Sequence, residues 1–165
     1  LAIYEKYPIH ELIIHPRIQT DMYRGVPRLG AYEKAVSQLQ MPLCYNGNLF
    51  STADYKRITQ RFPDTDCFMY GRGLITNPGL VSEIRDGMQP GKAVLRQFHD
   101  CLLEEYKELL SGERNLLFRM KELWSYMAVS FTNYEKYAKK IKKSQHLSDY
   151  QAAVSSLFAE QDLAD

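Results

Sequence analysis

The stretch Asp66-Cys67-Phe68-Met69-Tyr70-Gly71-Arg72-Gly73 determines the fold expected for this chain. Its apolar residues predict a buried strand, and the run ends at an arginine between two glycines. Backbone N–H groups and a guanidinium at the C-terminal end of a strand suit an anion such as phosphate. We therefore interpret Gly71-Arg72-Gly73 as a phosphate-binding turn, although glycine after a strand is also the ordinary turn residue.

Two earlier apolar runs predict further strands of the same sheet. Glu11 to His15 is expected to be a strand buried on both faces that Pro16 ends, and Met41 to Tyr45 is expected to be the next strand. Helical periodicity between them, and a capping box of Ser51 and Asp54 after them, places one helix before and one after the second strand. The core-facing residues of the first helix would be Ala31, Ala35, Val36 and Leu39. This alternation of strands and helices predicts a parallel sheet.

Polar residues follow each of the three expected strands. They are His15-Pro16-Arg17, Asn46-Gly47-Asn48 and Gly71-Arg72-Gly73, and in a parallel sheet they converge on one edge. Gly47 is either part of an Asx-type turn or a point where a ligand approaches the backbone closely. His15 is either a structural, hydrogen-bonded residue or an anion or flavin contact. Two such loops on adjacent strands are typical of the phosphate site for flavin mononucleotide (FMN) or a sugar phosphate in a barrel.

The chain changes character after Gly73. Asn77-Pro78-Gly79 predicts a turn that starts a short helix, and the Gly and Pro residues of 86–91 mark a boundary, so the expected domains are 1–88 and 89–165. The second would be a small helical bundle in which Ser148, with Gln151 as its capping-box partner, starts the last helix. The apolar stripe expected on its first helix consists of Val94, Leu95, Phe98, Leu102, Tyr106 and Leu109. The fold class expected is α/β plus all-α.

Five lysines lie close together in the third helix of this bundle. They are Lys136, Lys139, Lys140, Lys142 and Lys143. A run of charge is usually a solvated helix face. With few acids nearby, it also creates a positive potential that attracts a phosphate backbone. Both interpretations stay open from the residues alone.

The overall composition limits the remaining classes of function. The 165 residues are 45% hydrophobic and 25% charged, with a formal net charge of +1, which is typical of a globular protein. The three cysteines Cys44, Cys67 and Cys101 have no CxxC spacing, and no histidine has a partner at metal-binding spacing, so neither a metal site nor a disulfide is expected. No apolar stretch approaches the length of a membrane span, and we expect a cytoplasmic protein.

Together these motifs resemble the tRNA-dihydrouridine synthase family. Leu12 to Arg17 resembles that family's strand ending in His-x-Arg, and Met22 to Gly25 resembles the aromatic-basic-Gly element after it. Pro42 to Asn48 is similar to its Pro-apolar-Asn-Gly-Asp/Asn strand and turn. Phe68 to Leu74, followed by Asn77-Pro78, is similar to its Met-x-Gly-Arg-Gly and Asn-Pro signature. The likeness is looser in the helical part of the chain.

The resemblance implies the C-terminal part of an FMN-binding TIM barrel followed by a helical tRNA-binding domain. The implied reaction is the reduction of uridine to dihydrouridine in tRNA, with NADPH reducing the flavin and a cysteine acting as the acid. The implied cofactor-binding residues are His15, Asn46, Gly47, Asn48, Gly71 and Arg72. Arg17, Arg24 and the five lysines would contact tRNA.

The resemblance also has gaps that set further expectations. The family's first βα units and its catalytic cysteine are not matched, and Cys44, Cys67 and Cys101 do not occupy the cysteine's position. We therefore expect this chain to be inactive alone, with no catalytic residue of its own. Exposed sheet edges are expected to allow self-association. The alternatives are another FMN-dependent barrel oxidoreductase and a non-catalytic RNA-binding module.

Overall fold

The chain is a mixed α/β protein that forms two compact units. A computed structural model describes residues 1–21 and 24–164. The first unit is Leu1–Gly71, and the second starts at Arg72. The mixture of a small parallel sheet and many helices agrees with the expected fold class. The domain boundary expected between residues 88 and 89 stays a prediction.

The first unit contains the predicted three-stranded parallel sheet. Its strands are β1 (Leu12–Ile14), β2 (Leu43–Asn46) and β3 (Cys67–Met69), in the order β1-β2-β3. Two helices alternate with them, α1 (Leu29–Gln38) and α2 (Thr52–Arg61), and short 3₁₀ helices lie at Tyr4–Lys6 and Gln19–Asp21. In the register of the sheet, Ile13 is opposite Cys44, and Cys44 is opposite Cys67. The parallel order predicted from the sequence is confirmed.

Aromatic side chains form much of the core between this sheet and its helices. The ring of Tyr32 on α1 packs edge-on against Tyr45 and Phe62, with both centroid distances at 5.0 Å. Its hydroxyl lies 3.1 Å from Thr65 Oγ1, which satisfies the phenol inside the core. Ala31, which the sequence assigned to the buried face, is exposed. That assignment was wrong because the large side chain of Tyr32, with its polar atom satisfied, takes the central position of the helix face.

β1 is not buried on both faces, contrary to the sequence-based expectation. Ile14 packs against the aromatic core, whereas Ile13 is 44% exposed. Successive side chains of a strand point to opposite faces, so the helices α1 and α2 cover only one of them. An apolar run by itself predicts burial but does not show which face is covered.

The predicted cap of α2 is confirmed. Ser51 Oγ accepts a hydrogen bond from the backbone N–H of Asp54 at 3.1 Å. In return, the Asp54 carboxylate accepts from the backbone N–H of Phe50 at 3.0 Å. These bonds satisfy backbone donors at the helix start and fix the direction in which the chain leaves β2.

The second unit consists of helices. They are α3 (Arg72–Thr76), α4 (Leu80–Asp86), α5 (Lys92–Leu109), α6 (Glu113–Met127), α7 (Glu135–Lys143) and α8 (Leu147–Glu160), with a 3₁₀ turn at Ala128–Ser130. Gly87, with φ +71°, ends α4, and Gly112, with φ +85°, precedes α6. Both glycines adopt the positive φ that other residues avoid. Among the described helices, none combines the length and apolar character needed to cross a membrane.

The buried face of α5 differs from the predicted stripe. Leu95, His99 and Leu103 are buried, whereas Val94 and Leu109 are 44% and 73% exposed. The apolar periodicity predicted a buried face of α5 that is rotated slightly from the observed one, because it did not count a histidine as a core residue. His99 is buried because both of its ring nitrogens have partners within the helical unit.

The start of α8 also differs from the prediction. The helix begins at Leu147, with His146 at the N-cap and no side-chain cap. The backbone N–H of Leu147 instead donates to Glu113 Oε1 on α6 at 2.5 Å. The capping box of Ser148 and Gln151 was therefore wrong, because an acceptor from another helix satisfies this N-terminus.

A buried hydrogen-bond network joins α5, α6 and α8. Trp124 Nε1 donates to the Tyr150 hydroxyl at 2.7 Å, and His99 Nε2 lies 2.7 Å from the same oxygen. Because an indole only donates, the Tyr150 oxygen accepts from Trp124, and its own O–H is left to donate to His99 Nε2. His99 then carries its proton on Nδ1, which is 2.8 Å from the Asp100 carboxylate. Burial lowers the pKa of His99, so the neutral ring is favoured.

Candidate functional site

The C-terminal ends of the three parallel strands form the candidate site of the first unit. His15 follows β1 directly, Asn46 is the last residue of β2, and Gly71 follows β3 by two residues. Because the strands are parallel, these ends lie at the same edge of the sheet. The structure thus brings together the strand ends on which the sequence-based site rests, while the ligand roles of these residues stay predictions.

Arg17 connects the loops after β1 and β2. Its guanidinium donates to the backbone carbonyls of Arg24 and Gly25 at 2.6 and 2.8 Å, and to Asn48 Oδ1 at 3.1 Å. Gly25 has φ +67°, which turns its carbonyl into this bond at little steric cost. Asn48 and Arg17 are separated by 31 residues, and no local pattern in the sequence links them. Sequence reasoning assigned Arg17 to RNA contact and missed that it fixes the two loops relative to each other.

The loop carrying Arg24 is described only in part. Met22 and Tyr23, which belong to the aromatic-basic-Gly element of the sequence, lie outside the described residues. Arg24 itself is exposed, and its backbone carbonyl is the group that binds Arg17. Its side chain is therefore open to the solvent.

Asn46 and Gly47 shape the end of β2. Asn46 Nδ2 lies 3.2 Å from Met69 Sδ on the neighbouring strand. A Cβ added at Gly47 would clash with the phenol of Tyr45, with the ring atom Cε1 only 2.6 Å away. Gly47 is thus required by packing within the chain, which is a structural reason for glycine that the sequence did not reveal. This requirement holds whether or not a ligand also approaches the loop.

Gly71 and Arg72 occupy the end of β3. Gly71 is exposed, and among the described residues no heavy atom lies within 4 Å of the position a Cβ would take. The space beside its backbone is therefore open to a ligand. Arg72 follows as the first residue of α3 and is half-buried. Burial raises the pKa of the preceding Tyr70 to about 12, so that phenol stays protonated near neutral pH.

The second candidate surface is the basic face of α7, defined as Lys136, Lys139, Lys140, Lys142 and Lys143. All five lysines are exposed, while Tyr137 and Ile141 on the opposite face are buried. Lys136 lies 3.7 Å from Glu160 and 4.6 Å above the Tyr137 ring. Within residues 1–21 and 24–164, the other four lysines form no ion pair. Their charge is therefore available to an external anion.

Tyr137 does not belong to this exposed surface, although the sequence places it between the lysines. Its hydroxyl donates to Glu160 Oε2 at 2.6 Å. This hydrogen bond, together with the nearby Lys136 and Lys140, lowers the pKa of Glu160. The exposed surface therefore consists of lysine ammonium groups, and Tyr137 lies on the buried face of the same helix.

Comparison with known proteins shows which proteins this chain resembles in sequence. The family model described as dihydrouridine synthase matches residues 2–163. This chain belongs to the dihydrouridine synthase family. The tRNA-dihydrouridine(16) synthase of Shewanella oneidensis is 30% identical over 129 residues, which cover 77% of this chain and 40% of that protein. The chain therefore spans less than half the length of this curated relative.

Membership of the dihydrouridine synthase family confirms the resemblance drawn from the strand-end motifs. The match extends through both compact units, so the helical part belongs to the same family as the sheet. The name of the relative refers to the modification of tRNA.

Proposed function

We propose that this chain takes part in the flavin-dependent reduction of uridine to dihydrouridine in tRNA. The observation that carries the proposal is the family match over residues 2–163. The convergence of His15, Asn46 and Gly71 on one edge of a parallel sheet supports it, because ligands of such sheets bind at the C-terminal ends of the strands.

The sheet is proposed to be the C-terminal part of a TIM barrel. Its three strands are all parallel, with helices between them, as in a barrel. The face that carries Ile13 is not covered by α1 or α2. An open groove of about 530 Å³, whose lining includes Ile13, His15 and Arg17, runs along β1. Further strands of the barrel would pack against β1, along this groove.

FMN is the proposed cofactor, with NADPH as its reductant. When bound, FMN would supply the hydride for the uridine double bond. His15 would contact the flavin, and Asn46, Gly47, Asn48, Gly71 and Arg72 would hold its phosphate end. The open space at Gly71 fits this role, since a phosphate can approach the backbone there. The bonds of Arg17 to Gly25 and Asn48 would keep the two loops in place around the ligand.

tRNA is the proposed substrate, held by the basic face of α7 and by the loop after β1. Exposed lysines recognise a phosphate backbone without regard to sequence. Arg24 offers an exposed cation in the loop. Arg17 would support tRNA binding by fixing the loop through its hydrogen bond to the Arg24 carbonyl, as well as through any direct contact with RNA. The uridine must leave its stack to reach a flavin, which costs a few kcal/mol that backbone contacts offset.

The proposal includes the absence of turnover by this chain alone. Cys44 and Cys67 lie on neighbouring strands, each two residues before the residue that ends its strand, and Cys101 is exposed on α5. None is proposed to be the catalytic acid. Localisation in the cytoplasm, where tRNA is modified, is part of the same proposal.

FMN should bind this chain more tightly than riboflavin, because only FMN carries the phosphate that the strand ends would hold. We expect Arg72→Gln to remove this preference while leaving riboflavin affinity unchanged. The measurement is a titration of each flavin, followed by quenching of its fluorescence. Arg85→Gln is the matched control, since Arg85 is an exposed arginine on α4 that pairs with Asp86.

Equal affinity of the unaltered chain for FMN and riboflavin would contradict the proposed phosphate site. If tRNA still bound, the chain would then be a non-catalytic RNA-binding module. Formation of dihydrouridine by the chain with NADPH and unmodified tRNA would overturn the proposed inactivity, but not the proposed reaction. The two results therefore test separate parts of the proposal.

Self-association through the sheet edges is proposed as well. Among the described strands, β1 and β3 each pair with β2 alone, so each has one open edge. Such edges pair readily with a second chain. We expect light scattering to give a mass above that of one 19.2 kDa chain. A monomeric mass across the whole concentration range would contradict this expectation.

A further inference from the structure

Three metal-ligating side chains meet on the sheet, away from the strand-end site. Glu11 precedes β1, Cys44 lies on β2, and Cys67 begins β3. One carboxylate oxygen and the two Sγ atoms all lie within 4.8 Å of one another. We propose that Glu11, Cys44 and Cys67 bind a divalent, thiol-preferring metal ion of the zinc class.

The register of the sheet explains why these residues meet. Cys44 and Cys67 are directly opposite each other on neighbouring parallel strands, so their side chains project from the same face. Ile13 is opposite Cys44 on the other side, and Glu11 lies two residues before Ile13 along the same strand direction. Side chains two residues apart share a face, which places the carboxylate beside the thiols. The sequence alone pointed away from a metal because it contains no CxxC spacing.

The three groups lie in a largely buried environment. Cys44 is only 2% exposed, and Glu11 and Cys67 are half-buried. Binding of a metal ion would release the proton of each thiol to the solvent and bring the three ligands closer together.

The donor set indicates the class of ion. Two sulfurs and one carboxylate oxygen suit Zn²⁺ or Cd²⁺ and not the oxygen-preferring Mg²⁺ or Ca²⁺. Three protein ligands leave one position of a tetrahedral ion for water or another small ligand. Within residues 1–21 and 24–164, no other histidine, cysteine or acidic group joins the cluster. The site is therefore proposed as three-coordinate in protein ligands, independently of the proposed reduction of tRNA.

The experiment is a titration of the reduced, metal-free chain with Cd²⁺, followed by ultraviolet absorption from thiolate-to-cadmium charge transfer. We expect one equivalent to bind with this absorption. Cys67→Ser should weaken binding by about 100-fold or more, since even an outer-shell partner is worth about 10- to 100-fold. Glu11→Gln should weaken binding but keep the absorption at saturating Cd²⁺, because both thiolates remain.

Cys101→Ser is the matched control, because Cys101 is an exposed thiol outside the cluster. Its absorption and affinity should equal those of the unaltered chain. Loss of the absorption in Cys101→Ser, or no absorption in the unaltered chain, would overturn the proposal. So would a mass two hydrogens lower under reducing conditions, which would indicate a Cys44–Cys67 disulfide. If a cysteine variant does not fold, the weaker Cd²⁺ binding expected of Glu11→Gln tests the site instead, because Glu11 is half-buried and polar.

Discussion

Tyr150→Phe should destabilise the helical unit more than any other change that removes a single atom from its core. The Tyr150 hydroxyl is bonded to Trp124 Nε1 and His99 Nε2, and Tyr150 is fully buried. Removing the oxygen leaves one buried donor and one buried acceptor without a partner. Each such group costs about 1–3 kcal/mol, so we expect a loss of about 2–6 kcal/mol in the free energy of unfolding. The measurement is urea unfolding followed by the fluorescence of the single tryptophan, Trp124.

The control for this prediction is Tyr126→Phe on α6, which removes the same atom from a half-buried side chain. A change of no more than about 0.5 kcal/mol is expected there. If Tyr150→Phe unfolded at the same urea concentration as the unaltered chain, the network would contribute no net stability. Trp124→Phe is a second test, since it removes the donor but keeps both partners of the Tyr150 to His99 bond; its unfolding is followed by circular dichroism, because the variant lacks the fluorescent tryptophan.

The same network should make the stability of this unit depend on pH. Burial lowers the pKa of His99 from its ordinary value of 6.5, although the hydrogen bond to Asp100 opposes this. Between this lowered pKa and 6.5, the unfolded chain binds a proton at this residue that the folded chain does not bind. Stability should therefore fall as the pH drops below 6.5, by at most about 1.4 kcal/mol per pH unit for one proton. His99→Gln should flatten that part of the profile.

Charge reversal on α7 should have the largest effect on tRNA binding. We expect the variant with Lys139, Lys140, Lys142 and Lys143 changed to Glu to bind tRNA at least about 100-fold more weakly at low salt, because four proposed phosphate contacts would become repulsive. All four side chains are exposed, and Ile141 and Tyr137 hold the helix in place from the buried face. The fold should therefore survive the change. Affinity can be measured by filter binding.

The salt dependence of binding separates direct contacts from a change in overall charge. Neutral Lys→Ala variants should lower the slope of log affinity against log salt by about 0.7–0.9 for each lysine that pairs with a phosphate. The matched control reverses four lysines on other surfaces, Lys6, Lys34, Lys56 and Lys107, and produces the same net charge. An equal loss of affinity in this control would show that the α7 surface has no special role. Unchanged affinity in the α7 variant would contradict the proposed tRNA surface.

Much of the first unit could be predicted from local patterns. The apolar run before Gly71, the turn residues after each strand and the capping residues Ser51 and Asp54 all act over a few positions. The parallel order follows from them, since helices between strands require crossovers. The strand-end motifs also identified the family, because their residues are contiguous in sequence.

The faces of the elements were harder to predict. Tyr32 displaced Ala31 from the core, and His99 took a central place on α5, because each has a polar atom whose partner lies elsewhere in the chain. A periodicity of apolar residues cannot anticipate such partners. Ile13 is exposed for a related reason, since a strand's sequence does not show how many of its faces are covered.

Sequence by itself therefore determined the order of strands and helices, the polar strand ends and the positive charge of α7. Only the tertiary structure decided which of these residues meet. Arg17 binds Asn48 across 31 residues, and Cys44 lies beside Cys67 and Glu11, because register aligns strands that are distant in sequence. Hydrogen bonds and metal coordination act over a few ångströms in space. Distances of that size between separate strands and helices are set by the packing of the whole unit, and not by spacing along the chain.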